Sequence, residues 1–578
     1  MNENQVSNGN ANSYDTRPWL SSYPANMLTE IPALRNTSLV QFYEEACRKF
    51  DLRTATTVCL DNGLHASLSF RDVRTLSEQF ARYLKDHAGV RKGDRVALQM
   101  PNCLAYSVAV FGVLKAGGIV VNTNPLYTER EMIHQFSDSG SSVLVIMDLF
   151  QDKLEKVIPQ TAIKNVVTVS MGDLMPMAKS LLIKTVLRLK KKVPSTNVTT
   201  TPFSVALSLG AAVGARRKVD SEHEFPESTL EDVALLQYTG GTTGVSKGVM
   251  LTHANILSNI QQMEILTAAA VKPGEDVVMT ALPLYHIFAF TVNLMFFLGI
   301  GGQNILIPSP RPISNLRKAF EKFPISWMSG VNTIYNALLN EPWFIQNPPK
   351  SLRIIVGGGA AMLKPTCERW KKATGTYILE AYGLSESSPG LTMNPYGIEP
   401  RYESIGMPWP GTLLRCVDDN GNPVAPGEPG EIIAKGPQVM KGYWNRPQDT
   451  AKTLKDGWLY TGDVGVMEPN GYFRIVDRKK DMIIVSGFNV YPNEIEGVIA
   501  ELPDVLEVAV VGVPDEKSGE AVRAFVVRKS ESLTEEHIKE HCRKALTAYK
   551  VPRNVEFRTE LPKTPIGKIL RRELRPKV

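Results

Sequence analysis

The sequence predicts an α/β protein: a large N-terminal domain of two αβ subdomains plus a small β-rich subdomain, hinged to a small α+β C-terminal domain. Three observations carry this. At 578 residues the chain is too long for a single ordinary core. Two stretches, 95–171 and about 275–380, alternate strand-like and helix-like patterns, and such alternation implies parallel sheets covered by helices. Beyond about residue 400 the texture turns to short strands broken by Gly and Pro, and the last hundred residues mix two strands with a helix.

In order along the chain, the polar start "MNENQVSNGNANSYDTRPW" lacks a basic segment followed by an apolar one, which argues against a secretory signal; residues 1–27 read as an extension. In the first αβ region "RVALQM" and "GIVVNTN" are strands around the helical "LAYSVAVFGVLKAGG". Helical "TEREMIHQFSDSG", strand "SVLVIMD", helical "QDKLEKVI" and strand "NVVTVSM" follow. Residues 174–218 hold nine Lys or Arg and no acid. Within them "KSLLIKTVLRLKKK" sets Leu182, Ile183, Val186 and Leu187 on one helical stripe and Lys184, Arg188 and Lys191 on another. A basic amphipathic helix of this kind can lie on an anionic membrane surface or be a solvated face. The second αβ region has strands near "EDVVMTA", "QNILIP", "ISWMSG", "LRIIVGGG" and "YILEAYG". Between Val277 and Pro310 there is no charged side chain, but the apolar run is short and carries His286 and Asn293, so it reads as a buried helix or cavity wall rather than a membrane span. Its aromatics, with Trp327, are candidate core or cavity lining.

The domains expected are 28–476, a hinge at 477–483 where "DRKKDM" breaks the pattern, and a mobile 484–578. In the last of these, "LEVAVVGVP" and "AVRAFVVRK" are strands and "TEEHIKEHCRKAL" is a helix with Thr534 as N-cap. His537 and His541 lie one turn apart there without a third ligand, which favours a surface face over zinc. Six scattered cysteines without a Cys-x-x-Cys pair argue against a disulfide framework or a cysteine-rich zinc site and fit a reducing, cytoplasmic compartment. A net charge of only +6, without basic residues clustered among aromatics, gives no support to nucleic-acid binding.

The chemistry-bearing motif is "LLQYTGGTTGVSKGVMLTH" at 235–253. Amides around Gly240, Gly241 and Gly244, hydroxyls of Thr239, Thr242, Thr243 and Ser246, and the cation of Lys247 can wrap phosphates. It is not a Walker loop, because Lys247 follows Ser246 and precedes Gly248. Downstream, "GGGAAM" lets a flat ring approach the backbone at Gly357, Gly358 and Gly359. "EAYGLSESSP" offers Tyr382 as a stacking face, with Gly383 and Ser385 beside it, and Glu386 as a carboxylate for a magnesium ion. "DGWLYTGDVG" sets Asp463 in a turn suited to both ribose hydroxyls, "YFRIVDRKKDMIIVSGFNVYPNEIE" supplies Arg478, and "PKTPIGKILRREL" puts Lys568 on a Gly-containing turn.

In this order, with "ALPLYHIFA", "GPQVMKGYW" and "VSGFNVYPNEIE", the motifs resemble the adenylate-forming superfamily of acyl-CoA synthetases, luciferase and peptide-synthetase adenylation domains. Within it the likeness is to bacterial long-chain fatty-acid CoA ligases, from about residue 15 onward. Ser385, where threonine is more usual, and Tyr460, where histidine is common, are small departures. The resemblance implies ATP-dependent activation of a fatty acid to acyl-AMP and transfer to coenzyme A, with Mg2+ at Glu386 and domain alternation between the steps. It implies that the 239–248 loop holds the β- and γ-phosphates, Asp463 and Arg478 the ribose, and Tyr382 and Gly357–Gly359 the adenine. Lys568 would bridge the carboxylate and α-phosphate, and His286 would stand at the mouth of an aromatic acyl tunnel. Lys480 would be the pivot, carrying Ser486 and Gly487 to the thiol channel. Medium-chain or aryl-acid CoA ligases and acyl-AMP ligases are the alternatives. Membrane contact through 174–218, on the inner face of the cell membrane, and a homodimer complete the partners considered.

Overall fold

The computed structural model describes residues 12–216, 224–239, 246–486, 488–515, 518–565 and 567–576. Four sheets organise them. The first αβ region builds an eight-stranded sheet whose interior strands, Asn165–Val169, Val143–Met147, Arg95–Gln99, Ile119–Asn122 and Val233–Thr239, run parallel. The second builds a nine-stranded sheet, parallel from Ile378–Gly383 through Ile354–Gly357, Trp327–Gly330, Val277–Thr280 and Gln303–Leu306 to Thr54–Cys59.

Both sheets depart from the all-parallel expectation at their margins. In the first, Val233–Thr239 pairs antiparallel with Lys247–Thr252, which pairs antiparallel with Gly442–Tyr443. In the second, Gly390–Met393 and Met407–Pro408 add antiparallel strands at one edge and His65–Ser69 at the other. Short connections permit this for Gly390–Met393 and His65–Ser69, because a tight hairpin can only be antiparallel.

Local signals fix the helices between the strands. Thr128 and Glu131 form a capping box ahead of helix Glu129–Ser139, and Gly140 closes it with φ of 62°. Helix Leu104–Lys115 is buried on nearly every side, which explains its unbroken apolar sequence. The β-rich region is an antiparallel sheet of Leu413–Val417, Gly430–Lys435, Trp458–Met467, Leu454–Lys455 and Phe473–Arg478.

A fourth sheet joins Phe488–Val490, Ile483–Val485, Gly519–Arg528 and Val505–Asp515, with Asn554–Phe557 parallel to Gly519–Arg528. Its core of Ile483, Val490, Ile495, Ile499, Val510 and Val526 is a cluster of its own. Thr534 caps helix Glu535–Ala545 by accepting from His537 N–H. His541 meets Glu501 at 3.1 Å, and no cluster of three metal-binding side chains occurs among the described residues. All six cysteines are buried and unpaired.

The charge-free 277–310 stretch is strand, then a π-helix Ala289–Met295, then helix Phe296–Gly299, all buried. No described helix is long and apolar enough to cross a membrane. Helix Met177–Leu189 corrects the predicted stripe. Ile183 is buried and Leu187 packs on the core, while Met177, Leu181, Leu182 and Leu189 face outward at 56–87% exposure. The predicted four shared one arc of the helical wheel, but the body beneath the helix takes only the Ile183/Leu187 side.

Candidate active site

The carboxyl ends of the second sheet meet the β-rich sheet, and this junction gathers most of the predicted residues. Strand pairing sets Asp463 directly opposite Arg478. The buried Asp463 carboxylate lies 3.0 Å from Arg478 Nε through one oxygen and accepts from the Tyr382 hydroxyl at 2.7 Å through the other. Asp463 raises the Arg478 pKa above its usual value, more than burial lowers it. Burial, and then Asp463, hold the Tyr382 phenol protonated as a donor. The carboxylate and guanidinium are thus fixed as a pair, with a ring held edge-on to them.

Strands Ile354–Gly357 and Ile378–Gly383 lie side by side, Gly357 opposite Glu380, and deliver both glycine motifs to one place. A Cβ on Gly357 would press on Met362 at 2.6 Å, and one on Gly383 would sit 1.8 Å from the Pro389 carbonyl. Gly359 takes φ of 75°, and Gly358 has the Phe288 ring beside it. Bare backbone is therefore required here by packing as well as by access.

Ser385–Ser387 form one 3-10 turn carrying Glu386. The Glu386 carboxylate accepts from the Tyr443 hydroxyl at 2.8 Å; burial raises its pKa and that bond opposes the rise. Tyr443 stands on the strand beside Lys247–Thr252, so Glu386 faces the foot of the glycine-rich segment. At that foot Thr239 pairs with Lys247, and the Ser246 carbonyl is 2.9 Å from His134 Nε2. Lys247 Nζ lies 3.2 Å from Asp449 and over the Tyr443 ring. Gly240, Gly241, Thr242, Thr243 and Gly244 lie outside the described residues. The two strands that bracket them form a hairpin, whereas a Walker loop leads from a strand into a helix.

Lys568 comes from the far end of the chain. A turn closed by Gly567 N–H on Thr564 O at 2.8 Å and Thr564 N–H on Lys568 O at 2.7 Å presents it. Gly567 has φ of 94°, and its carbonyl accepts from the Thr333 hydroxyl at 3.2 Å, which seats the turn on the second αβ region. Burial, then Arg478, lower the Lys568 pKa to about 7, and Asp463 pulls the other way. Burial, then Lys568, lower His286 to about 4, so its ring is neutral. Lys568, His286, Arg478 and Asp463 therefore share one electrostatic neighbourhood. Lys480, lowered to about 8 by burial and Arg478, lies at its edge.

Ser486 is exposed with φ of 50°, at the end of strand Ile483–Val485. Gly487 lies outside the described residues. The aromatics divide. Phe296, Phe297 and Trp327 pack on one another with centroids 5.1–5.7 Å apart, as core, whereas Phe288 borders the glycine turn. Sequence reasoning passed over Tyr443 and Glu380. The first sits inside the quoted "GPQVMKGYW". The second is a buried carboxyl, raised to about 8 by burial, that accepts from Met362 N–H at 3.0 Å and braces the glycine turn.

Comparisons with known proteins follow the same division. The AMP-binding enzyme family model matches residues 43–444, and that of the AMP-binding enzyme C-terminal domain matches residues 494–568. A long-chain-fatty-acid–CoA ligase of Escherichia coli O157:H7 is 50% identical over 558 residues, 96% of this chain and 97% of that protein. One from Bacillus subtilis (strain 168) is 39% identical over 565 residues, 96% and 97%. Among solved structures, the anthranilate CoA ligase AuaEII in complex with anthranoyl-AMP aligns with a TM-score of 0.80 at 27% identity, covering 96% of this chain and 98% of that one. ATP-bound MatB from Rhodopseudomonas palustris aligns with a TM-score of 0.78 at 28% identity, covering 93% and 98%. The two family matches flank the turn after Arg478 and the second ends on Lys568 itself, so the chain belongs to the family of AMP-binding enzymes.

Proposed function

We propose that this chain is a long-chain fatty-acid–CoA ligase that works in two half-reactions. In the first, a fatty carboxylate oxygen attacks the α-phosphorus of ATP, forming acyl-AMP as pyrophosphate leaves. In the second, the coenzyme A thiol attacks the acyl carbon and AMP leaves. The carboxylate is already ionised at neutral pH, so the first step needs no general base. It needs two anions brought together, and the observation that supports this reading is the convergence of Lys568 with the Asp463–Arg478 pair.

Lys568 would place its positive charge between the carboxylate and the α-phosphate. Asp463 would accept from the ribose hydroxyls, with Arg478 beside it holding the carboxylate in place. Tyr382 and the Gly357–Gly359 turn would enclose the adenine, and Thr239, Ser246 and Lys247 would flank the outgoing phosphates. A single buried carboxylate facing that loop suits Mg2+, which binds through one or two carboxylates plus phosphate oxygens. Held by Glu386, Mg2+ would neutralise phosphate charge. Neutral His286 and Phe288 would border the acyl carboxyl end, with the chain running toward the π-helix. Each buried CH2 contributes about 0.8 kcal/mol, which favours long acids.

Lys568 would occupy the space a thiol must enter, so we propose that the C-terminal domain turns about Lys480 before transfer. Lys568→Ala then abolishes acyl-dependent ATP–pyrophosphate exchange but leaves transfer from supplied acyl-AMP to coenzyme A. Equal loss of both refutes the role. A chain-length panel including aryl acids, with and without coenzyme A, tests the substrate class.

We also propose peripheral contact with an anionic membrane, on its inner face, through helix Met177–Leu189. Its outward Met177, Leu181, Leu182 and Leu189 are flanked by exposed Arg188, Lys190, Lys191 and Lys192. Lys184 belongs instead to a pair with Asp173 at 2.7 Å. Leu181→Glu with Lys191→Glu should abolish sedimentation with anionic vesicles; retained binding would refute the contact.

A further inference from the structure

A second charge cluster lies behind Lys568, across the turn that joins the β-rich sheet to the last one. Its centre is Arg571, three residues after Lys568, and its guanidinium grips both sides of the turn. On one side, Nε donates to Glu496 at 3.0 Å and Nη2 to the other oxygen of the same carboxylate at 2.7 Å. Nη2 also donates to Asn493 Oδ1. Glu496 and Asn493 stand on helix Pro492–Ala500, in the same core as the C-terminal sheet. A two-point fork of this kind fixes the plane of the guanidinium.

On the other side, Nη1 donates to Asp477 at 3.2 Å and lies 3.7 Å from Asp481. Asp477 is fully buried on strand Phe473–Arg478, opposite Val464, one residue from Arg478 and its partner Asp463. Asn493 N–H also donates to Asp477 at 2.9 Å. Arg575 braces the turn itself, donating to the Lys480 carbonyl at 3.3 Å and to Asp481 at 3.1 Å. Burial works against the Arg571 charge, but Glu496 and then Asp477 outweigh it and raise its pKa.

The links are unequal. The Glu496 fork joins two parts of the C-terminal body. The Asp477 bond is single, and it ties that body to the strand that carries the nucleotide clasp. We propose that Arg571 is a latch: its bond to Asp477 holds Lys568 in the adenylating position and breaks, together with the Asn493 bond to the same carboxylate, when the C-terminal domain turns. Arg571 is thus a positioning residue that acts through Lys568, and the inference rests on the domain alternation proposed above. When the body turns about Lys480, Glu496 and Asn493 travel with Arg571 while Asp477 stays.

The test uses the full chain with Asp477→Asn, which keeps the side-chain shape and an oxygen for Asn493 N–H, and with Arg571→Lys, which keeps charge but loses the fork. Acyl-dependent ATP–pyrophosphate exchange should fall about tenfold or more in Asp477→Asn, while transfer from supplied acyl-AMP to coenzyme A stays within about twofold of wild type. Arg571→Lys should show the same split, less deeply. Asp477→Glu, which restores the charge, should recover part of the exchange. A merely structural role predicts that both half-reactions fall together, and that result, or unchanged exchange, overturns the latch. Lys568→Ala run beside these variants separates the failures. If it splits the half-reactions and Asp477→Asn does not, the latch alone is wrong; if it does not split them, the alternation itself is wrong.

Discussion

Lys568 should give the enzyme an alkaline limit well below the one an ordinary lysine would set. Its pKa falls from 10.5 to about 7 through burial and then Arg478. One unit is about 1.4 kcal/mol, so charging this buried amine costs about 5 kcal/mol more than in water. The charged form is the useful one, so free enzyme loses it as pH rises through about 7. In acyl-dependent ATP–pyrophosphate exchange, kcat/KM for ATP should fall about tenfold per unit above that point, since this parameter reports the free enzyme. Bound phosphates and the fatty carboxylate favour the cation, so kcat should hold to higher pH. Lys568→Arg keeps its charge throughout and should remove the break, at whatever absolute rate it retains. Lys480, lowered to about 8, titrates nearby, and Lys480→Arg should leave the break in place. Stability runs the other way. Between about 7 and 10.5 the unfolded chain binds the extra proton, so this group's contribution to stability rises with pH while activity falls. A flat wild-type profile between about pH 6.5 and 9, or a break surviving in Lys568→Arg, would refute the reasoning.

Three substitutions probe the rest of the site. Gly567→Ala puts a Cβ 2.9 Å from the Thr333 hydroxyl at φ of 94°. Strain of about 1–3 kcal/mol should slow exchange about tenfold and spare transfer from acyl-AMP. Glu386→Gln keeps an acceptor for Tyr443 but loses the charge, so the Mg2+ concentration for half-maximal exchange should rise about tenfold or more, with the unfolding midpoint nearly unchanged. Gly383→Ala drives a methyl to 1.8 Å from the Pro389 carbonyl and should lower stability in urea by about 3 kcal/mol.

Much of this was legible because the signals are local. Val96, Val120 and Val143 sit in short apolar runs between helical patterns, and Thr534 caps its helix from the next turn. The glycines at 357–359 and 567 stand where backbone must come close or φ turns positive. What stayed hidden depends on neighbours far along the chain. Arg571 is one of five cations, with Lys568, Arg572, Arg575 and Lys577, near the chain end, and nothing local says that Asp477 and Glu496 will close on it. Ile183 and Leu181 are equally apolar, and only the body beneath their helix decides which is covered. The antiparallel margins include Gly442–Tyr443, which reaches Lys247–Thr252 from far along the chain, and strand-helix alternation does not encode such a partner. The aromatics of 296–297 read equally as lining or core, and their contact with Trp327 decided for core.

The burial of every native thiol has a practical consequence. Burial raises the four thiols of Cys47, Cys103, Cys367 and Cys416 to about 12 and that of Cys542 to about 11, and it raises Cys59 as well. At neutral pH they offer almost no thiolate to an alkylating dye. One cysteine introduced on the exposed face of the first αβ region and one on the C-terminal helix could carry a fluorophore pair with the natural six left in place. The distance between such dyes, followed through a turnover, would test the proposed swing of the C-terminal domain directly.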